Sequence, residues 1–268
     1  MFSMKSMSFA LSDGRNLSYG QEGQGGILVL LHGWNMRGDL FRPLIEALSD
    51  CCRVLVPDLP GYGASSLAPL FELDQLCCDL GEFIAAQNGP VRLCGWSLGG
   101  QLAMALACST SYRVRSLCLI SSTPRFCQTQ GWDLALPESQ LRALKRQIER
   151  DYSRASHAFF RQMFCPTEAF DGGNLPEVLW PEGATDLVTA QAGLDWLAQV
   201  DLRHKLKQLK VPTLIIHGSD DQIIPFSVTK AMEALLPQSR LLQLDNCGHA
   251  PFLTRTQEVA AALKEMMS

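Results

Sequence analysis

The sequence has no excess of positive charge. Lys and Arg number 23 against 27 Asp and Glu, so its 268 residues carry a net charge of −4. Nothing in that balance points to nucleic acid or to an anionic membrane surface as a partner. No apolar run approaches the roughly 18 residues that a membrane-spanning helix needs, so no span is expected. No C-x-x-C pair occurs, and no cysteine stands at zinc-finger spacing from a histidine, which argues against zinc modules and dithiol redox motifs. No His/Asp/Glu cluster has metal-ligand spacing, so neither a metal nor another cofactor is expected. No internal repeat or low-complexity stretch is present. The N-terminal MFSMKSMSFALSDG lacks an apolar core and a cleavage-like site, so a secretory leader is not expected.

Cysteine, by contrast, is plentiful, with ten residues. The hydrophobic fraction of 47% lets a chain of this length bury a large core without disulfide staples. Cys51-Cys52 and Cys77-Cys78 are vicinal and poorly placed to bridge. Cys94, Cys108 and Cys118 lie in apolar runs, where a free thiol behaves as a small hydrophobe. Reduced cysteines are therefore expected, and with them a cytoplasmic protein.

Along the chain, strand and helix patterns alternate. A hairpin signal (Ser12-Asp13-Gly14-Arg15) precedes a glycine-rich loop at 21–26. That loop leads into a strand rather than a helix, so it cannot set a phosphate on a helix N-terminus. Strands are predicted at 27–31, 53–56, 91–94, 116–120, 211–217 and 240–244. Helices are predicted at 40–48, 73–87, 98–108, 228–236 and 256–267. This alternation implies a mostly parallel sheet with helices on both faces. It stops between 122 and 193, where helical segments with Pro and Gly breaks and no clear strand appear. The expected organisation is a core of 1–121 and 194–268, interrupted by a helical lid of 122–193. Ligands of such sheets bind outside the carboxyl ends of the strands, where the lid would sit.

Gly95-Trp96-Ser97-Leu98-Gly99 matches G-x-S-x-G between a strand and an Ala-rich helix, the setting of a nucleophile elbow. A serine hydroxyl is a poor nucleophile without a base. The strand TLIIHG runs into Asp220-Asp221, and RLLQL runs into the loop that carries His249. All three positions lie just past strand carboxyl ends and so converge. The spacing G-x-x-D-x-x-I-P selects Asp221 over its neighbour Asp220 as the acid. His217 lies within a strand and reads as structural, while His157 and His204 read as surface residues. Backbone N–H groups of Leu98 and of Trp34, in His32-Gly33-Trp34, are the expected oxyanion donors. Both side chains should also shape the substrate pocket.

The stretch 138–162 has six basic and three acidic residues. On a helix of about 100° per residue, Arg142, Arg146, Arg150, Arg154 and Arg161 fall on one face. Leu141, Leu144, Ile148, Tyr152, Ala155 and Phe159 fall on the other. The apolar stripe would pack on the sheet domain, with Tyr152 and Phe159 lining the pocket from above. The basic face is either solvated or a docking surface for an acidic partner.

These motifs resemble those of the α/β-hydrolases and, more narrowly, of the pimeloyl-[acyl-carrier-protein] methyl ester esterases of biotin synthesis. The matching stretches are LLHGW (30–34), VPDLPGYGASS (56–66), CGWSLGG (94–100), ISSTPRF (120–126), GLDWLAQVDLR (193–203), GSDDQIIP (218–225) and GHAPFL (248–253). HGW, DLPG and HAPF are widespread among α/β-hydrolases; GWSLGG, SSTPRF and the GLxxLxxxDLR stretch are more specific. The resemblance implies an α/β-hydrolase fold and a serine carboxylesterase that hydrolyses an acyl ester on acyl-carrier protein. It places Arg154, with Arg150 and Arg161 nearby, among the lid arginines that hold the acidic carrier. The segment 167–182 departs from the family pattern in having no arginine. Dehalogenases and epoxide hydrolases of this fold use an aspartate nucleophile, and position 97 is serine. The competing expectation is a general carboxylesterase or C–C bond hydrolase with no protein partner. A monomer is expected in either case.

Overall fold

The computed structural model describes residues 4–109, 112–166, 168 and 183–267. Its centre is an eight-stranded sheet in the order β1-β2-β4-β3-β5-β6-β7-β8. β1 (Lys5–Ala10) and β2 (Asn16–Glu22) form the hairpin that the Asp13-Gly14 turn announces, and Gly14 takes the left-handed φ of 87° that the turn demands. β2 also runs antiparallel to β4 (Cys52–Pro57). β3 (Gly26–Leu31) pairs in parallel with both β4 and β5 (Val91–Trp96). β6 (Val114–Ile120), β7 (Thr213–Gly218) and β8 (Ser239–Leu244) extend the sheet, all parallel.

Every residue of β7 is buried, as are all but the first of β3, which is how a strand covered on both faces behaves. The edge strands β1 and β8 keep exposed positions instead. The covering helices form two packed groups. α1 (Arg42–Leu48), which follows a 3-10 turn at Gly38–Phe41, packs with α9 (Pro251–Thr254) and α10 (Thr256–Met267). α2 (Leu73–Ala85) packs with α3 (Leu98–Ala107). α8 (Ser227–Leu235) packs on β8, and α7 (Arg203–Leu206) is a single turn. No helix among the described residues is long and apolar enough to cross a membrane. All ten cysteines are free thiols, as their placement predicts.

Between β6 and β7 the chain forms α4 (Glu138–Arg150), α5 (Tyr152–Gln162) and α6 (Leu187–Gln199). The wheel treats 138–162 as one helix, and the structure corrects this. Asp151 is extended (φ −157°, ψ 90°), and its side chain accepts the backbone N–H of Arg154 as the N-cap of α5. The apolar stripe survives the break: Leu141, Ile148 and Ala155 are buried, and Leu144, Tyr152 and Phe159 are half-buried. The arginines at 142, 146, 150, 154 and 161 are all exposed. α6 runs through the expected lid boundary at 193.

Candidate active site

Ser97 caps α3 with φ 54° and ψ −120°, a strained conformation held by tight packing on both sides. A Cβ at Gly95 would lie 2.3 Å from the Gly99 carbonyl oxygen, and one at Gly99 would lie 2.2 Å from that of Leu31. Only glycine fits either place, which is the physical content of the G-x-S-x-G pattern. The Ser97 N–H donates to Ile120 and its carbonyl accepts from Ser122 Oγ, so backbone contacts alone fix it to the sheet. Its hydroxyl makes no capping bond and stays available.

Strain collects at this edge of the sheet. The non-glycine residues with left-handed φ among the described residues are Asn35, Ser97, Ser121 and Asn246. Each lies just past the carboxyl end of a strand, on the loops that build the site.

Asp221 and His249 meet there. His249 Nδ1 lies 2.7 Å from Asp221 Oδ2, and both side chains are buried. The other oxygen, Oδ1, accepts the N–H groups of Ile223 and Ile224 at 2.8 and 2.9 Å. Asp220 is exposed. Burial alone would raise the Asp221 carboxyl. Electrostatic attraction to His249 and the hydrogen bonds from His217 and His249 outweigh it, and the group is held well below the usual carboxylate range. A carboxylate at this position favours the proton on Nδ1 of His249 and leaves Nε2 able to accept one. Nε2 has no hydrogen-bond partner among the described residues. Catalytic bonds of this kind commonly tighten only when substrate arrives.

Sequence reasoning missed part of this arrangement. His217, read as structural, lies with Nε2 3.2 Å from Asp221 Oδ2 and 2.9 Å from the Ile224 carbonyl. It is buried and orients the acid. Trp96, in a variable position of the elbow motif, donates its indole N–H to the His249 carbonyl at 2.8 Å. Neither contact has a local sequence signal. Trp96→Phe should leave that buried carbonyl unpaired, costing about 1–3 kcal/mol of stability. Urea unfolding against the parent checks this, and no change in midpoint would contradict it.

Leu98 opens α3, so its N–H belongs to the first turn and has no intrahelical acceptor. Gly33 brings the His32-Gly33-Trp34 loop against the elbow, since a Cβ there would be 3.2 Å from Ser97 Cβ. His32 is buried, accepts the Leu59 N–H at Nε2 and lies 2.9 Å from the Gly33 carbonyl at Nδ1, which shapes the turn. Burial holds it below its ordinary pKa, and so neutral.

A partly enclosed cavity at Ser97 is lined by Trp34, Trp96, Phe126, Leu141, Phe159 and Leu194, among others, with no charged side chain among the described residues that line it. Trp34 is clasped by the lid: its indole N–H donates to Ala190 and its ring meets Phe159 edge-on at 4.9 Å. Ser97 is only 7% exposed. Tyr152 is not among the residues lining the cavity. Its hydroxyl lies 2.7 Å from Asn35 Oδ1 and 3.0 Å from the Thr185 carbonyl, so it braces the loop behind Trp34. Asn35 also donates to Ser156 Oγ.

On the outer surface, Arg142 pairs with Glu138 and Lys145 with Asp195. No carboxylate pairs with Arg146, Arg150, Arg154 or Arg161 among the described residues. His157 and His204 are exposed. The arginine-free segment 167–182 lies outside the described residues, apart from Glu168.

With this geometry in hand, the chain compares closely with known proteins. Residues 28–262 match the model of the Alpha/beta hydrolase family. The pimeloyl-[acyl-carrier protein] methyl ester esterase of Nitrosomonas europaea is 37% identical over 238 residues, covering 87% of this chain and 92% of that protein. The enzyme of the same name from Xylella fastidiosa is 34% identical, covering 92% and 96%. Among solved structures, an esterase from Exiguobacterium antarcticum superposes with a TM-score of 0.89 at 25% identity, covering 98% and 99%. A bromoperoxidase from Bacillus anthracis reaches the same TM-score at 21% identity, which shows a shared fold.

Proposed function

The chain belongs to the alpha/beta hydrolase family as a carboxylic ester hydrolase, and we propose that its substrate is the methyl ester of pimeloyl-[acyl-carrier protein], hydrolysed in biotin synthesis. The reaction is carried by one observation: a buried Asp221–His249 pair at 2.7 Å, with His249 bonded through its carbonyl to Trp96, the chain neighbour of Ser97 in its elbow. The substrate is carried by the likeness to enzymes of that name over most of the chain.

In the proposed mechanism His249 Nε2 takes the Ser97 proton as Oγ attacks the ester carbonyl. The N–H groups of Leu98 and Trp34 hold the oxyanion, each worth roughly 10²–10³ in rate. The tetrahedral adduct collapses, the proton passes from His249 to the leaving methoxide oxygen, and methanol departs. Water, deprotonated by His249, then attacks the acyl-enzyme, and Ser97 recovers its proton as the free carboxylate leaves. In this reading the described part of the insertion covers an apolar cavity over Ser97, with no charged side chain among its described lining residues. A neutral methyl ester suits that cavity, whereas the product carboxylate loses hydration there, which favours its release.

Arg150, Arg154 and Arg161, exposed at the end of α4 and along α5, are the proposed docking face for the acidic carrier protein. Salt dependence tests it. kcat/KM for the carrier-bound ester should fall steeply as ionic strength rises, because screening shortens the reach of the arginines to about 8 Å at physiological salt. A small p-nitrophenyl ester should barely respond. An equal response of the two substrates would favour a general carboxylesterase with no protein partner.

A further inference from the structure

Just past α5, the chain makes a turn that reaches into the loop carrying His249. Glu168 occupies the junction. Its Oε2 accepts the N–H of Cys165 at 2.9 Å and that of Gly248 at 3.1 Å. Its Oε1 accepts the hydroxyl of Thr254 and the thiol of Cys247 at 3.3 Å. Four donors and no acceptor converge, which is the environment an ionised carboxylate requires.

Three of the four donors belong to the segment around His249: Cys247 and Gly248 before it, and Thr254 after it. The fourth belongs to the lid. Two residues nearer α5 than Cys165, the Met163 carbonyl accepts the N–H of His249 itself at 2.6 Å. A Cβ at Gly248 would lie 2.3 Å from that Met163 oxygen, so the loop needs glycine to come this close. His249 is thus gripped at its ring Nδ1 by Asp221, at its backbone carbonyl by Trp96, and at its backbone N–H by Met163.

We infer that Glu168 is a positioning residue for the hydrolysis: it ties the turn after α5 to the His249 loop, so that His249 is correctly aimed only when that turn is seated. The inference rests on His249 being the base for Ser97. The two ideas fail separately. An active Ser97→Ala variant overturns the base, whereas an inactive Ser97→Ala beside a normal Glu168→Ala overturns only the role of Glu168.

The experiment compares Glu168→Ala, Glu168→Gln and Thr254→Val in the full chain. It measures kcat and KM on p-nitrophenyl butyrate, the rate at which a phosphonate ester labels Ser97, and thermal unfolding. Misplacing the base should lower kcat of Glu168→Ala by about 10²-fold, with labelling slowed in parallel and KM changed less than about twofold. Glu168→Gln keeps a carbonyl that accepts both N–H groups, and should stay within about tenfold of the parent. Unchanged kcat in Glu168→Ala, a loss confined to KM, or a Gln variant as impaired as Ala overturns the inference. If Glu168→Ala does not fold, Thr254→Val decides. A kcat lowered about threefold or more at an unchanged melting temperature supports the role, and an unchanged kcat overturns it.

Discussion

Replacing Ser97 with alanine is expected to lower kcat on any ester substrate by on the order of 10⁵–10⁶, because members of a catalytic triad act as a unit. The fold should be untouched. Ser97 is anchored through its N–H to Ile120 and its carbonyl to Ser122, and alanine keeps both bonds. The left-handed φ of 54° costs alanine about what it costs serine, so the strain is unchanged rather than relieved. Hydrolysis of p-nitrophenyl butyrate and a thermal melt check the two halves. A variant that retains near-parental turnover removes Ser97 from the mechanism.

The second large effect is expected from Asp221→Asn. The amide oxygen would keep the Ile223 and Ile224 N–H groups, which forces the NH₂ toward His249. An NH₂ donor there requires a bare Nδ1 and so a protonated Nε2, the tautomer that cannot take the serine proton. A loss of about 10⁴ in kcat follows. Asp220→Asn, at the exposed neighbour, should remain within about twofold of the parent, since surface changes of this kind perturb little. Reversed behaviour of the pair would move the acid to position 220.

Asp221 also ties stability to pH. Its folded pKa is depressed, so its contribution is complete above the unfolded value of about 4 and is lost as pH falls toward the folded one. The parent should therefore shed stability below about pH 4, and the Asn variant should lack that component.

The residues explain how far the sequence could be read. Apolar runs such as ILVLL and TLIIHG are unambiguous because buried parallel strands must be apolar on both faces. Ser97, Asp221 and His249 could be put forward together because each sits just past a strand end, and the structure brings the last two into contact. The single-helix reading of 138–162 failed because periodicity is blind to one extended residue. Asp151 could have been suspected as a cap from its type alone. Trp96, His217 and Glu168 were illegible as parts of the site for a different reason. Each acts through a contact with a segment distant in sequence or with a backbone atom, and backbone atoms carry no side-chain signal. The Trp96–His249 bond joins residues 153 positions apart.

The junction of β6 and β7 has a consequence for how such proteins diversify. The two strands are hydrogen-bonded neighbours, Leu117 opposite Thr213, although the whole helical insertion lies between them. Closing a connection already this long depends only weakly on its length, and doubling it adds about 0.6 kcal/mol. The cover over Ser97 is therefore free to be lengthened, shortened or exchanged through evolution at little thermodynamic expense to the platform beneath. The constraint falls on a few anchor points, where Met163 and Glu168 grip the His249 loop and Ala190 holds Trp34. A lineage can change which ester it accepts by rewriting the rest of the insertion while those few anchors stay in place.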